Sequence, residues 1–157
     1  MIIVECDPDE FVVKSIVPEV PKRWIKHGGN KSEVLKKVRK RQDAIGIVDE
    51  DPDGTQPREM KRYIKKDARD TIELLRRKEE ARTLIQLSPN IEGWLILRAK
   101  QNKISLQNYN LPDDWKKMHD IRCIEEKPDF QRFVKELVEI GDGEVDTLRR
   151  WIREAIE

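Results

Sequence analysis

The segment Ala44-Ile45-Gly46-Ile47-Val48-Asp49-Glu50-Asp51-Pro52-Asp53-Gly54 decides how this chain folds. Its first five residues form a short apolar run rich in β-branched side chains, which predicts a buried strand. The acidic residues that follow, with a proline and a glycine among them, predict a turn. Ile2-Ile3-Val4 leads into Glu5 in the same way. Buried strands that end in polar loops are typical of a parallel sheet, whose binding sites lie at the carboxyl edge.

Helices are predicted between these strands. A helix over about 9–17 follows the first strand, and Pro8 suits its first turn. Trp24-Ile25 indicates a second strand, and Gly28-Gly29-Asn30 a turn whose asparagine can cap the basic helix that begins at Lys31. The alternation of strands and helices predicts an α/β fold, with a Rossmann-like, mostly parallel sheet flanked by helices.

Further elements are predicted in the middle of the chain. A long helix is expected from Thr55 to about Lys78, because one apolar stripe recurs there at helical spacing: Met60, Ile64, Ala68, Ile72 and Leu75. Thr83–Leu87 indicates another strand, and Ile121–Ile124 a weaker one. After Ser88-Pro89, the stretch through Trp94 fits a helix or a strand equally well.

The end of the chain predicts a C-terminal helical hairpin. Apolar residues recur at i, i+3 and i+4 on both sides of the Gly141-Asp142-Gly143 break. We therefore expect an α/β core over 1–110 and a mainly helical extension over 111–157, packed on the same domain.

Composition and charge exclude several classes of protein. Lys and Arg number 32 against 31 Asp and Glu, so the net charge is only +1 and any electrostatic function must come from segregated charge. No apolar run approaches the roughly 20 residues that a membrane span needs. Two cysteines are too few for a disulfide scaffold and lack zinc-site spacing. We expect a soluble cytoplasmic protein.

Three acidic residues are expected to converge. Glu5 follows the first predicted strand, and Asp49 and Asp51 follow the third; in a parallel sheet both sets emerge at the same edge. Mg²⁺ or Mn²⁺ takes one or two carboxylates together with substrate phosphate oxygens, and a third carboxylate could move a proton. The simpler alternative is that acids after strands only cap helices and form turns.

These residues resemble the Toprim family. Val4-Glu5-Cys6-Asp7-Pro8-Asp9 is similar to the Glu-Gly-x-x-Asp signature after the first Toprim strand, with Cys6 in place of glycine. Ile47-Val48-Asp49-Glu50-Asp51 is similar to the Asp-x-Asp signature after the third. The resemblance covers about residues 1–100. It implies a catalytic role for Glu5, binding of Mg²⁺ by Asp49 and Asp51, with Asp53 as a third acid seen in some members, and nuclease-like or strand-transfer chemistry on nucleic acid.

Two other functions remain open on the same residues. The acids also resemble a response-regulator receiver, in which Asp49 or Asp51 would accept a phosphoryl group and Thr83 or Ser88 and Lys100 would assist. The predicted long helix after Thr55 and the basic run at 31–41 argue against it. The third possibility is a Toprim-like binding protein without catalysis.

Basic residues flank the acidic segment. Residues 30–42 carry a net charge of +5 and residues 43–56 a net charge of −5. A carboxylate site that acts on nucleic acid needs nearby cations. We expect phosphate contacts from lysines on the helix at 31–41 and the start of the predicted helix at 57–69: Lys31, Lys36, Lys37, Lys40, Lys61 and Lys65. The alternative is that these are solvated helix faces. A protein partner or homo-oligomer is a further expectation, and His27 and His119 are expected to be surface or packing residues.

Overall fold

The predicted strands pair into one mixed sheet in a computed structural model that describes all of residues 1–157. Six strands run in the spatial order β2-β1-β3-β6-β5-β4. The first four of that order are parallel, and β5 and β4 are antiparallel to their neighbours. The α/β fold with a mostly parallel sheet is therefore confirmed. The strands are β1 Ile2–Val4, β2 Ile25–His27, β3 Ile45–Asp49, β4 Tyr63–Arg69, β5 Ile72–Arg77 and β6 Thr83–Leu87.

Helices connect and cover the strands. Asn30 and Asn90 cap their helices by accepting hydrogen bonds from Glu33 N and Gly93 N, which satisfies N–H groups that have no partner inside the helix. The C-terminal helical hairpin is confirmed, and the undecided stretch before Trp94 belongs to a helix. The helices are α1 Asp7–Ile16, α2 Lys31–Lys40, α3 Ile91–Gln101, α4 Trp115–His119, α5 Pro128–Glu139 and α6 Gly143–Ile156.

The two faces of the sheet carry different helices. Alternate residues of β1 point to opposite sides: Ile2 and Val4 face the large core built with α1, α3, α5 and α6, whereas Ile3 faces α2. Gly46 lets α2 approach closely, because a Cβ there would lie 2.6 Å from a Leu84 methyl and 2.9 Å from a Val34 methyl. None of the helices is both long and apolar enough to cross a membrane.

The predicted long helix from Thr55 to Lys78 is wrong. A short 3-10 turn, Arg58–Arg62, leads into the β4–β5 hairpin, which turns at Asp70 with a left-handed φ of 46°. The helix prediction failed because β4 is an edge strand in which only Tyr63 is buried. Its sequence therefore lacks the alternation of apolar and polar residues that identifies a strand. Pairing of β5 with β6 along the whole strand outweighs the helical spacing.

The weaker strand prediction over Ile121–Ile124 is also wrong. Cys123 has a left-handed φ of 49° and caps a 3-10 turn over Ile124–Glu126. Such a conformation ends extended structure, and no sheet edge lies against this segment.

The topology places a crevice between β1 and β3. The chain leaves β1 towards β2 through α1, then crosses back through α2 to β3 on the other side of β1. Ligands bind at such a switch point, outside the carboxyl ends of the strands. Glu5 and Asp49 lie at those two strand ends.

Candidate metal centre

Glu5 and Asp49 meet directly at the switch point. Asp49 donates its backbone N–H to Glu5 Oε2 at 2.8 Å, although the two residues are 44 positions apart. Burial raises the pKa of Glu5 to about 7, and the hydrogen bond from Asp49 opposes that shift. A carboxyl group that titrates near neutral pH can both take up and release a proton.

Asp49 is the most strongly perturbed acid of the site. Its Oδ1 accepts a hydrogen bond at 3.0 Å from the backbone N–H of Ile91, the first residue of α3. Burial, followed by the negative charges of Asp9 and Glu5, nevertheless raises the pKa of Asp49 to about 9. Without a cation, this side chain is therefore mostly protonated at neutral pH.

Asp9 is a third buried acid that sequence reasoning did not select. It is 5% exposed, and its Oδ2 accepts hydrogen bonds from the Cys6 backbone N–H at 3.0 Å and the Cys6 thiol at 3.2 Å. These bonds cap α1, which is an ordinary structural role. Burial still raises the pKa of Asp9 to about 6. The closing aspartate of the Glu-x-x-x-Asp motif was the signal that could have found it. We call Glu5, Asp9 and Asp49 the sheet-edge cluster.

Lys31 supplies a positive charge beside Glu5 and Asp49. The residue is 7% exposed, and its ammonium donates to the Glu50 carbonyl at 3.0 Å and to Gln56 Oε1 at 2.7 Å. Burial lowers the pKa of Lys31, whereas the charges of Asp51, Glu5 and Asp49 oppose that shift. Lys31 was predicted to contact phosphate; in the structure its ammonium binds the β3–β4 connection beside the acidic site.

Asp51 and Asp53 lie on the loop after β3. Asp51 is exposed with a left-handed φ of 50°, and its backbone N–H donates to the Pro89 carbonyl at 2.9 Å. Gln56 fastens the loop by donating to the Asp51 carbonyl at 2.8 Å. Asp53 is exposed and its side chain makes no hydrogen bond or ion pair. The ligand oxygens of Glu5, Asp49 and Asp51 are not all within 4.8 Å of one another, and neither are those of Glu5, Asp9 and Asp49.

Two further residues form the rim of the site. Glu92, in the first turn of α3, contributes to the raised pKa values of Asp9 and Asp49. His119 Nδ1 lies 2.8 Å from Glu92 Oε1, and this hydrogen bond raises the pKa of His119. His119 was expected to be a surface or packing residue; it is exposed, and the helical extension places it beside the site.

A second group of possible metal ligands lies on α1 and β2. The side chains of Asp7, Glu10 and His27 bring three ligand atoms within 4.8 Å of one another. His27 Nε2 is 2.5 Å from Glu10 Oε2, and Lys22 Nζ is 3.4 Å from the other Glu10 oxygen. The sequence showed no metal-ligand partner for His27, because the carboxylates beside it belong to a helix 17 or more residues earlier in the chain.

The sequence-predicted lysines do not form one surface. Lys36 is paired with Glu33 at 2.8 Å, Lys37 donates to the His27 carbonyl at 2.6 Å, and Lys40 is exposed. Lys61 lies in the 3-10 turn before β4 and Lys65 on β4, not on a helix. Since β4 and β2 are opposite edges of the sheet, Lys65 is far from the strand beside Lys37.

The receiver partners are dispersed. Thr83 begins β6 and therefore lies at the amino edge of the parallel strands, away from Asp49. Lys100 is exposed in the last turn of α3, about 14 Å along that helix from the residue that contacts Asp49. Only Ser88 follows a strand at the carboxyl edge.

No protein-family model, no curated protein and no solved structure matches this chain. Function is therefore argued from the site.

The donor set suits a hard divalent cation. The sheet-edge cluster offers carboxylate oxygens, which are the ligands that Mg²⁺ and Mn²⁺ prefer, and Asp51 adds another from the loop. The pKa values of all three acids are raised, so their surroundings disfavour the charged carboxylates. A bound cation would remove that cost.

Proposed function

We propose that this protein performs divalent-cation-dependent phosphodiester chemistry on nucleic acid, as a nuclease-like or strand-transfer enzyme. The observation that carries the proposal is the sheet-edge cluster: acids from two strand ends and a helix, of which Asp9 is buried and Glu5 and Asp49 are partly buried, with Lys31 as the cation beside Glu5 and Asp49. Burying unmatched carboxylates destabilises a fold, so their presence at a switch point is better explained by function than by stability.

Roles can be assigned to the residues of the site. Asp49 and Asp51 would hold Mg²⁺ or Mn²⁺, which would supply Lewis-acid stabilisation of phosphate oxygens. Glu5 would act as the catalytic acid or base, because burial brings its pKa to about 7, near the pH at which it must work. Lys31 would orient the acidic loop and offset part of its charge. The Toprim resemblance implies the same roles for the three acids.

Calorimetric titration with Mn²⁺ tests the cation site. The wild type should bind, and Asp49→Asn should abolish or greatly weaken binding. Asp113→Asn is the control, because it also removes one acid but at an exposed position whose side chain makes no hydrogen bond or ion pair. Equal titrations for the wild type and Asp49→Asn would refute the site.

An activity assay tests the reaction. Single- and double-stranded DNA and RNA are incubated with Mg²⁺ or Mn²⁺, and the wild type is compared with Glu5→Gln. Cleavage or strand transfer that is lost in Glu5→Gln supports the proposal. Acetyl phosphate is offered in parallel, and a base-labile aspartyl phosphate would instead identify a receiver. Cation binding without either reaction would favour a binding protein that lacks catalysis.

A further inference from the structure

A groove lies between α2 and the edge strand β2, outside the sheet-edge cluster. It encloses about 430 Å³, and Met1 and Ile3 provide its apolar lining. Its other walls are His27 and four cationic side chains: Lys26, Lys37, Lys40 and Arg41. We call it the basic groove. No carboxylate lines it, so its electrostatic potential is set by the cations.

The cations of the basic groove differ from the other bases of α2. Lys36 pairs with Glu33 at 2.8 Å and Arg39 with Glu59 at 3.8 Å. Lys26, Lys37 and Lys40 have no carboxylate within 4.0 Å, although the chain carries as many acids as bases within one charge. Of the four cations, only Arg41 has an ion pair, with Asp43 at 3.6 Å, and that pair is exposed and weak; His27 at the groove wall contacts Glu10 on α1. The unpaired charge is therefore concentrated on one side of the helix.

The same helix joins the basic groove to the acidic site. Lys31 begins α2 beside the sheet-edge cluster, and Lys40 ends it at the groove, nine residues or about 14 Å away. A nucleic-acid backbone rises about 3.4 Å per nucleotide along one strand of a duplex, so about four nucleotides span this distance. A ligand held in the groove can thus reach the carboxylates.

We propose that the basic groove binds the sugar–phosphate backbone of the nucleic acid on which the sheet-edge cluster acts. The identity of this ligand rests on the proposed function; the groove and its unpaired lysines do not. Phosphates would lie against the ammonium groups, and the sugars against the methylene stems and the apolar lining. This surface adds Lys26 and Arg41 to the contacts expected from sequence and omits Lys36, Lys61 and Lys65.

Binding of a fluorescein-labelled single-stranded oligonucleotide, followed by anisotropy in EDTA, tests the groove. Lys26, Lys37 and Lys40 are changed together to Glu, and the matched control changes Lys61, Lys65 and Lys66 on the β4 side, which are also exposed and give the same net charge. If three phosphate contacts are lost, the slope of log K against log salt should become less steep by about 2 in the groove variant. The control should keep the wild-type slope.

A second triple, Lys26, Lys37 and Lys40 to Gln, removes the charges without adding repulsion and should give the same change of slope. Thermal melting verifies that each variant folds. Equal losses in the groove and control variants, or no binding by the wild type at low salt, would overturn the proposal. Binding is measured in EDTA, so it is independent of the cation. Binding that depends on the groove lysines, without cation-dependent cleavage, would refute only the proposed reaction. Cleavage together with equal losses of binding in the groove and control variants would refute only the groove.

Discussion

Two groups of carboxylates in this protein have opposite surroundings. In the sheet-edge cluster, Asp9 is buried and Glu5 and Asp49 are partly buried, none of the three forms an ion pair, and the pKa of each acid is raised. In the second group, Asp142 and Glu144 at the start of α6 meet the guanidinium of Arg98 from α3. We call this second group the helix-pair cluster. Its two carboxylates share one guanidinium as a direct ion-pair partner, so we call it matched, and we call the sheet-edge cluster, whose acids have no such partner, unmatched.

Hydrogen bonds complete the helix-pair cluster. Asp142 Oδ1 accepts from Arg98 at 3.2 Å and from Asn102 Nδ2 at 2.6 Å, and its other oxygen caps α6. Glu144 accepts from both the backbone and the hydroxyl of Thr71, which ties α6 to the β4–β5 turn. A buried acid with a built-in cation fastens the fold; a buried acid without one is suited to binding a cation from outside.

The largest expected effect comes from breaking the matched cluster. Arg98→Met leaves Asp142 and Glu144 buried without their cation, which should cost about 3–5 kcal/mol of unfolding free energy. Urea denaturation measures it. Arg150→Met is the control, because Arg150 pairs with Glu154 only on the surface, at 3.8 Å, and should change stability far less. Comparable losses in the two variants would show that the helix-pair cluster is not a structural fastening.

The pH dependence of stability should reveal the unmatched cluster. The pKa values of Asp9, Glu5 and Asp49, about 6, 7 and 9, lie above those of unfolded acids, about 4. Such groups contribute stability at low pH that is lost as pH rises through the folded pKa. The cation-free protein should therefore lose stability from about pH 4 to pH 9.

Asp49→Asn should reduce that loss, so that the difference in unfolding free energy between variant and wild type shifts in favour of the variant, by several kcal/mol, as the pH rises from about 4 to about 9. Urea denaturation in EDTA across this range provides the comparison. Parallel curves for the two proteins would mean that Asp49 ionises without cost, contrary to the burial of its side chain.

Added cation should stabilise only the unmatched cluster. At ten times its dissociation constant, Mn²⁺ should add about 1.4 kcal/mol to the unfolding free energy of the wild type. Arg98→Met should keep this increment, because it leaves the sheet-edge cluster intact, and Asp49→Asn should lose it. Thermal or urea denaturation of the wild type and the two variants, with and without Mn²⁺, measures these increments. An increment that survives in Asp49→Asn would place the cation elsewhere, for example at Asp7, Glu10 and His27.

The smallest expected effect concerns Lys31. Its ammonium lowers the pKa of Glu5 and would compete with a bound cation, so Lys31→Met should tighten Mn²⁺ binding by about threefold. Calorimetry measures the change. Lys36→Met serves as the control, because that ammonium is paired with Glu33 and exposed. Weaker binding in Lys31→Met would instead show that the lysine's main contribution is to hold the Glu50 carbonyl and the acidic loop in place.

The sequence alone determined the parallel core and the meeting of Glu5 with Asp49. Short β-branched runs that end in acids favour buried strands, and parallel strands bring their carboxyl ends to one edge. The helices at Lys31 and at the end of the chain could also be predicted, since their apolar spacing and capping residues agree.

The β4–β5 hairpin was decided by tertiary structure. Residues 63–77 carry a stripe that suits a helix, and only the free edge of β6 provides the pairing that makes them strands. Intrinsic spacing is a weak signal where most of a segment is exposed, and long-range hydrogen bonds then determine its conformation.

Only some residues of the candidate site could likewise be predicted from the sequence. Neighbours along the chain revealed Glu5, Asp49 and Asp51, but Glu92 and His119 reach the site from α3 and α4, and the basic groove combines β2 with the far end of α2. Which acids receive an internal cation was also decided in three dimensions: Arg98 lies 44 residues before Asp142. The local sequence pattern determines which residues are buried. The packing of distant elements determines which charged groups meet. That packing gives the acids of the helix-pair cluster an ion pair with Arg98 and leaves the acids of the sheet-edge cluster without one.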